Sequence, residues 1–171
     1  MPLSYRHVQR TDLDAIGQLY AAMVEELQLR YPSHTDPAAE IIAWLSRDDP
    51  ARWIAEVAVP DALPDGFGRP TGGTPIGVLF AHLEERSFGA PRRVASTEWL
   101  YVRPEHRAGQ VAPTLMRRAI RRAKAAGCEA IEANFVPGTE EARRWRIFGF
   151  EAPYLARAVL AARRYDRLVG A

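Results

Sequence analysis

The sequence has little cysteine, little lysine and no long hydrophobic run. Cys128 is the only cysteine among 171 residues, so no intramolecular disulfide can form and a reducing cytoplasm is the expected compartment. No segment approaches the roughly 20 apolar residues that a membrane helix needs. Residues 1–10 are polar and lack the apolar core of a signal peptide. The composition therefore predicts a soluble cytoplasmic protein without a membrane partner.

The basic residues are almost all arginine, since Lys124 is the only lysine beside 22 arginines. The formal net charge is only +2, which predicts no nucleic-acid partner. GC-rich codons and phosphate recognition both explain such an arginine excess. From Arg103 to Lys124, however, seven basic residues and one acidic residue give a local net charge of +6. That local field would suit a small anionic ligand.

The length predicts one domain spanning residues 1–171. Hydrophobic residues make up 47% and charged residues 26%, which excludes a disordered chain and a disulfide scaffold. Proline and glycine occupy eight of the sixteen positions from 60 to 75, which predicts an irregular loop. No spacing of His, Cys, Asp and Glu is typical of a metal site.

Hydrophobic periodicity predicts alternating strands and helices. Strands are expected at 4–8, 53–59, 75–84, 94–102 and 130–136, and helices at 12–29, 36–47, 111–126 and in a short segment after Thr139. The strands from 53 to 102 have the features of an antiparallel meander, and the segment from 94 to 136 those of a parallel crossover. The tail from 154 to 169 favours a helix by composition and a strand by position.

Helix-end signals support several of these bounds. Thr11 with Asp14 resembles a capping box in which Asp replaces the usual Glu or Gln. Asp36 before Pro37 is typical of a helix start, because aspartate caps free N–H groups and proline suits the first helical position. Gly127 is placed to end the third long helix.

The candidate functional residues are concentrated in the loop between the strand that ends at Val102 and the helix that begins at Val111. Free N–H groups and the helix dipole at such a start form an anion site, and Arg107 beside it could pair with a phosphate. An ordinary strand–helix turn with a solvated arginine explains these residues equally well.

Two short motifs resemble those of the GNAT (Gcn5-related N-acetyltransferase) superfamily. Arg107-Ala108-Gly109-Gln110-Val111-Ala112 is similar to the pattern Arg or Gln, two residues, Gly, one residue, then Gly or Ala. Downstream, Trp145-Arg146-Ile147-Phe148-Gly149-Phe150 is similar to Tyr-x-x-x-Gly-Phe. Their order and their spacing of about 40 residues make the match specific. The resemblance implies an α+β (mixed α/β) fold, with a mostly antiparallel twisted sheet of six to seven strands and about four helices.

The resemblance also implies acetyl-CoA as co-substrate and the residues that bind it. The backbone of Leu100, Tyr101 and Val102 would hydrogen-bond the pantetheine arm. The pyrophosphate would be held by the backbone N–H groups of Arg107, Ala108, Gly109, Gln110, Val111 and Ala112. Asn134 lies where the family often contacts the cofactor, although a strand-end cap explains it equally well.

Two positions depart from the family pattern. Gln110 replaces the middle glycine, whose role Gly109 could take over from one position earlier. Trp145 replaces the tyrosine that many members use as general acid, and its indole does not titrate near neutral pH. It would pack on the pantetheine or the acetyl group, or it is a core residue. A thiolate leaving group, with an unperturbed pKa near 8.5, allows slower transfer without that acid, and Tyr101, Tyr154 or water could substitute.

An attacking amine needs a base, because an alkylammonium resembles lysine with a pKa near 10.4. Glu98 is placed mid-strand beside the expected thioester and is the candidate base, or else a strand carboxylate paired with an arginine. Glu25, Glu26 and Tyr31 fall where the family shapes its acceptor pocket, and a solvated helix face is the competing interpretation.

The residues and the resemblance together predict an N-acetyltransferase that moves an acetyl group from acetyl-CoA to a primary amine by direct attack. The amine is a small molecule or a peptide. The alternative is a CoA-binding or interaction module that has kept the fold and lost the transfer. The resemblance also allows a homodimer, because dimerisation is common in the family, but no residue pattern in the sequence indicates an interface.

Overall fold

A computed structural model describes residues 2–26, 36–47, 50–61, 73–86, 93–134, 146, 148, 150 and 157–161. The predicted acceptor residue Tyr31, the predicted cofactor residue Trp145, the helix after Thr139 and residues 62–72 of the Pro/Gly-rich loop lie outside these ranges.

The described residues form six strands and three helices. The strands are β1 (Leu3–His7), β2 (Trp53–Pro60), β3 (Gly77–Glu85), β4 (Arg93–Val102), β5 (Ala130–Asn134) and β6 (Arg157–Ala161). The helices are α1 (Leu13–Glu26), α2 (Pro37–Arg47) and α3 (Val111–Ala125). None of the described helices is long and apolar enough to cross a membrane.

The six strands are hydrogen-bonded in chain order. β1 pairs antiparallel with β2, with Leu3 opposite Pro60. β4 pairs parallel with β5, with Val94 opposite Ala130, and β5 pairs antiparallel with β6. The predicted parallel crossover is therefore confirmed, and the ambiguous tail contributes a strand. The mixed α+β fold with a mostly antiparallel sheet agrees with the prediction.

The chain divides into two compact units. The first comprises Met1–Pro50, Glu56–Val78 and Leu100–Leu115. Its buried apolar side chains include residues from one face of α1, from β2 and from the start of α3: Ile16, Leu19, Met23, Val57, Val59, Val111 and Leu115. A Cβ on Gly77 would lie 3.1 Å from Val111 Cγ1 and 3.2 Å from Val102 Cγ2. Glycine there allows the start of β3 to pack closely under the start of α3.

The second unit comprises Ala51–Ala55, Leu79–Trp99 and Met116–Ala171. Its core includes Ile54, Phe80, Trp99, Met116, Ile120 and Ile131. Gly127 has a φ of 77° and ends α3 as predicted, since glycine adopts this left-handed conformation without strain. Cys128 follows it and is buried, and this burial raises the pKa of its thiol against the opposing effect of Arg93. A buried thiol with a raised pKa has the character of a structural cysteine.

Asp36 caps α2 as predicted, because its Oδ1 accepts hydrogen bonds from the N–H groups of Ala38 and Ala39 at 2.9 and 3.3 Å. The cap predicted at Thr11 is wrong. The N-cap lies two residues earlier, at Gln9, whose N–H donates a 2.8 Å hydrogen bond to the Asp12 carboxylate. Asp12 takes this position because the Arg6 guanidinium donates to both of its oxygens, at 2.6 and 2.8 Å.

Candidate active site

The loop between β4 and α3 is shaped by short backbone hydrogen bonds. The N–H of Arg103 donates to Ile76 at 2.9 Å, and a single 3₁₀ turn follows from Pro104 to His106. The N–H of Arg107 closes this turn by donating to Pro104 at 3.2 Å. Of the N–H groups predicted to bind pyrophosphate, that of Arg107 is therefore already engaged in the turn.

The N–H groups of residues 108–112 have no backbone partner among the described residues. Gln110 is the residue before the helix, since its carbonyl accepts the first helical hydrogen bond, from Thr114 at 2.9 Å. Val111 and Ala112 occupy the first helical positions, where an N–H has no partner within the helix. The N–H groups of residues 108–110 donate to no backbone carbonyl of the described residues.

The same loop is open to solvent. Residues 107–110 are exposed, and a Cβ built on Gly109 would have no neighbour within 4 Å. Five donors at or next to the positive end of a helix, in a segment of local charge +6, form a site suited to an anionic group.

Arg107 is held by Glu26 at the end of α1. Both terminal nitrogens of its guanidinium donate to the two oxygens of Glu26, and its Nε donates to the carbonyl of Val102 at 2.7 Å. The guanidinium carbon also lies 5.2 Å from the centre of the Tyr101 ring. The sequence offered Arg107 as a phosphate partner, and the structure gives its side chain a carboxylate partner within the protein.

Tyr101 completes this cluster. Its hydroxyl donates to Glu26 at 3.2 Å, and only 7% of the residue is exposed. Burial, and then the hydrogen bond to Glu26, raise the pKa of Tyr101, so the phenol is protonated at neutral pH. The hydrogen bond to Glu26 likewise raises the pKa of Arg107.

The sequence placed Glu26 beside Glu25 on the expected acceptor side and did not predict its contacts with Arg107 and Tyr101. Both carboxylates are exposed near the end of α1, and no local signal distinguishes them. Glu26 is recognised only through Arg107 and Tyr101, which lie 81 and 75 residues further along the chain.

Glu98 lies on β4 in the second unit, where it is exposed. His82 and Glu84 of β3 offer side-chain atoms that lie, together with a Glu98 oxygen, within 4.8 Å of one another. His82 Nδ1 is 3.9 Å from Glu84 Oε1, and the His82 ring stacks on Trp53 with centroids 4.5 Å apart. The sequence alone does not link His82 to Glu98, because the two residues lie on different strands.

Arg86, just beyond β3, pairs with Glu132 of β5. Its two terminal nitrogens donate to the two Glu132 oxygens at 3.0 and 2.6 Å, while only 2% of Glu132 is exposed. The hydrogen bond to Glu132 raises the pKa of Arg86. Glu84 lies further from this guanidinium, at 3.9 Å.

The other predicted site residues occupy several places. Leu100 is half-buried and Val102 is buried at the end of β4, next to Tyr101. Asn134 is the last residue of β5, and its side chain lies outside the described part of the chain.

The matching family agrees with this fold and this loop. A sequence model of the acetyltransferase (GNAT) family matches residues 18–150. That range includes the loop from 107 to 112 and most of the described elements. The chain therefore belongs to the GNAT family of acetyltransferases.

Solved structures of similar fold cover almost the whole chain. An N-acetyltransferase from Staphylococcus aureus Mu50 matches with a TM-score of 0.70 and 20% identity, over 94% of this chain and 99% of that chain. A GNAT family acetyltransferase from Brucella melitensis in complex with acetyl-CoA matches with a TM-score of 0.65 and 16% identity, over 94% of this chain and 88% of that chain. The NatC complex bound to Gag peptide and CoA matches with a TM-score of 0.67 and 18% identity, over 94% of this chain and 99% of that chain. At these identities the likeness establishes the fold. A comparison with curated protein sequences gave no match.

Proposed function

We propose that the protein is an N-acetyltransferase that moves an acetyl group from acetyl-CoA to a primary amine by direct attack. The observation that carries this proposal is the open, donor-rich loop before α3 in a chain of the GNAT family. Two structures of the same fold contain acetyl-CoA or CoA, which supports acetyl-CoA as the co-substrate.

The residues of the loop fit a pyrophosphate. The N–H groups of residues 108–112 would donate to its oxygens, and the absence of a side chain at Gly109 leaves room for a close approach. The exposed Gln110 side chain can turn towards solvent. Arg107 is proposed as a cofactor-binding residue from its place in the motif. Its guanidinium would bind phosphate after its ion pair with Glu26 breaks.

Acetyl-CoA supplies an activated acyl group on a thioester. The backbone of Leu100, Tyr101 and Val102 would hold the pantetheine arm, with the carbonyl of Val102 already accepting from Arg107. An N–H near Leu100 would donate to the thioester carbonyl as charge develops on its oxygen. Asn134 and Trp145 are proposed as further cofactor contacts, from their places in the motif.

Glu98 is proposed as the base or as the carboxylate that orients the amine. It is exposed on β4, two residues before Leu100 in the same strand, so an acceptor from solvent reaches it. An alkylammonium with a pKa near 10.4 must lose a proton before it attacks. The sulfur leaves as a thiolate, and Tyr101, which is protonated at neutral pH, is a candidate proton donor. Glu25 and Tyr31 remain candidates for the acceptor side.

Thiol release from acetyl-CoA in the presence of a panel of amines tests the proposal. We expect turnover with at least one primary amine, with kcat/KM rising with pH. Glu98→Gln should move this rise to higher pH, because the free amine must then form without the carboxylate. Glu85→Gln, which changes an exposed carboxylate on β3, is the control and should leave the profile unchanged.

The competing function is a CoA-binding module without transfer. The exposed glutamine at position 110, where the family has glycine, is the observation that favours it. Calorimetric binding of CoA without turnover of any amine would support the module. No binding of CoA would contradict both functions, and an unchanged pH profile in Glu98→Gln would remove Glu98 from the mechanism.

A further inference from the structure

The guanidinium of Arg107 has all three of its nitrogens engaged within the protein. Its two terminal nitrogens donate to the two oxygens of Glu26, and its Nε donates to the carbonyl of Val102 at 2.7 Å. The carbonyl of Val102 belongs to the strand segment that is proposed to hold the pantetheine arm. Arg107 therefore occupies one group of the proposed cofactor site and is itself occupied by a carboxylate.

Glu26 is accessible to a second cation. Its side chain is 36% exposed at the end of α1, and that of Arg107 is 32% exposed. The hydroxyl of Tyr101 donates to Oε2 of Glu26, which also accepts from one terminal nitrogen of Arg107, while Oε1 accepts from the other. A cation that replaces Arg107 would therefore meet a carboxylate that Tyr101 still orients.

The ion pair can be exchanged at low cost in free energy. Exposed ion pairs contribute little to stability, because water solvates both charges after they separate. Phosphate and carboxylate accept the same bidentate hydrogen bonds from an arginine. A phosphate that takes Arg107 therefore conserves the bonds of the guanidinium and removes a cation from Glu26. An alkylammonium has three N–H donors and can replace that cation.

We propose that Glu26 couples the binding of the two substrates. A cationic amine that pairs with Glu26 releases Arg107 for a CoA phosphate, and CoA that takes Arg107 releases Glu26 for the amine. Each ligand then strengthens the binding of the other by the same factor, as linkage requires. This inference rests on the proposed function for its two ligands, and it requires a positive charge on the acceptor.

Calorimetry of CoA binding with and without diaminobutane tests the coupling. CoA without an acetyl group is used, so that no transfer accompanies binding. Sodium chloride at matched ionic strength controls for screening, and butanediol, which carries no charge, should have no effect. We expect diaminobutane to lower the Kd for CoA about two- to fivefold, on the scale of one exposed ion pair. Saturating CoA should lower the Kd for diaminobutane by the same factor.

Two charge-removing variants separate the ion pair from the general field of the loop. Glu26→Gln should bind CoA more tightly in the absence of amine and lose the response to diaminobutane, because no carboxylate then holds Arg107. Glu105 is an exposed carboxylate two residues before Arg107. Glu105→Gln removes the same charge and leaves the ion pair in place, so its response to diaminobutane should equal that of the wild type.

The failures of the two proposals are distinguishable. CoA binding that diaminobutane does not strengthen, or strengthens equally in Glu26→Gln, would overturn the coupling and leave the acetyltransferase intact. A response lost in Glu105→Gln as well would assign it to the charge of the loop and overturn the role of Glu26. Coupled binding without turnover of any amine would support the coupling and contradict the transfer. Absence of CoA binding would contradict both.

Discussion

Arg107 and Glu26 are joined by two hydrogen bonds although they stand 81 residues apart in the sequence. This ion pair ties the end of α1 to the beginning of the loop that we assign to pyrophosphate. It also occupies the guanidinium that the sequence offered to a phosphate. In the proposed complex with CoA, Glu26 and a phosphate group compete for the guanidinium of Arg107.

Glu26→Gln should increase the affinity for CoA severalfold, because the neutral amide holds Arg107 more weakly than the carboxylate does. Stability should change by about 1 kcal/mol or less, since exposed ion pairs contribute little. Calorimetry with CoA measures the affinity, and Glu25→Gln, an exposed carboxylate one residue earlier, is the control. Unchanged or weaker CoA binding in Glu26→Gln would show that Arg107 does not serve the cofactor.

The same substitution should lower the pKa of Tyr101 towards its ordinary value. The hydrogen bond to Glu26 is one of the two main causes of the raised pKa, and burial, the larger cause, remains. The difference between the ultraviolet titrations of each protein and its Tyr101→Phe counterpart isolates this phenol. Identical titration of Tyr101 with and without the Glu26 carboxylate would contradict the contact.

Gly109→Ala should weaken CoA binding, whereas Gly77→Ala should lower the stability of the fold. A Cβ at Gly109 meets nothing within 4 Å, so Gly109→Ala should fold normally but bind CoA more weakly, since the methyl group would lie against the pyrophosphate. A Cβ at Gly77 would lie 3.1 Å from Val111 Cγ1, and such overpacking costs about 1–3 kcal/mol. Denaturant unfolding and CoA calorimetry on both variants measure the two effects. Equal CoA affinity in wild type and Gly109→Ala would argue against a phosphate at this loop.

Arg86→Ala should destabilise the protein by about 3 kcal/mol or more, because it leaves the buried carboxylate of Glu132 without its main cation. Glu132→Gln should cost less, since it removes the charge together with the need to neutralise it. The combination Arg86→Ala with Glu132→Gln should therefore be more stable than Arg86→Ala alone. Urea unfolding of the three variants tests this order, and a double variant less stable than Arg86→Ala would contradict it.

The ion pair between Arg6 and Asp12 should contribute to stability at neutral pH and be lost in acid. Burial alone would raise the pKa of Asp12, but hydrogen bonds from Arg6 and from the N–H of Gln9 outweigh it and lower the pKa. The contribution is therefore complete above the unfolded pKa of about 3.9 and disappears as the pH falls through the lower folded value. Asp12→Asn should be less stable at neutral pH and lose less stability on acidification. Parallel acid unfolding curves for the two proteins would contradict this assignment.

Local signals in the sequence were sufficient to predict most of the helices and strands. The apolar rows of α1 and α3, the Asp36 cap and the Gly127 end are each determined by residues within one or two helical turns. The cap at Thr11 was wrong because Asp12 is held by Arg6, which belongs to β1. Such a partner lies on another element and leaves no mark in the helix pattern.

The candidate site could be proposed from the sequence where a contiguous motif carries it, and not where strand register decides it. The loop from 107 to 112 is one continuous segment, so its residues could be proposed from the motif. Alternation along β3 places His82 and Glu84 on one face, but only the pairing of β3 with β4 determines that Glu98 joins them. The contacts of Glu26 were not predicted because both of its partners, Arg107 and Tyr101, lie far along the chain.

Mass spectrometry of a reaction with isotopically labelled acetyl-CoA and butylamine tests the central claim most directly. We predict that the amine gains one labelled acetyl group for each thiol released, and that the protein acquires no label when acceptor is omitted. Labelled protein that later passes its acetyl group to the amine would contradict direct attack. Thiol release without acetylated amine, or no thiol release with any amine, would contradict the assignment as an amine acetyltransferase.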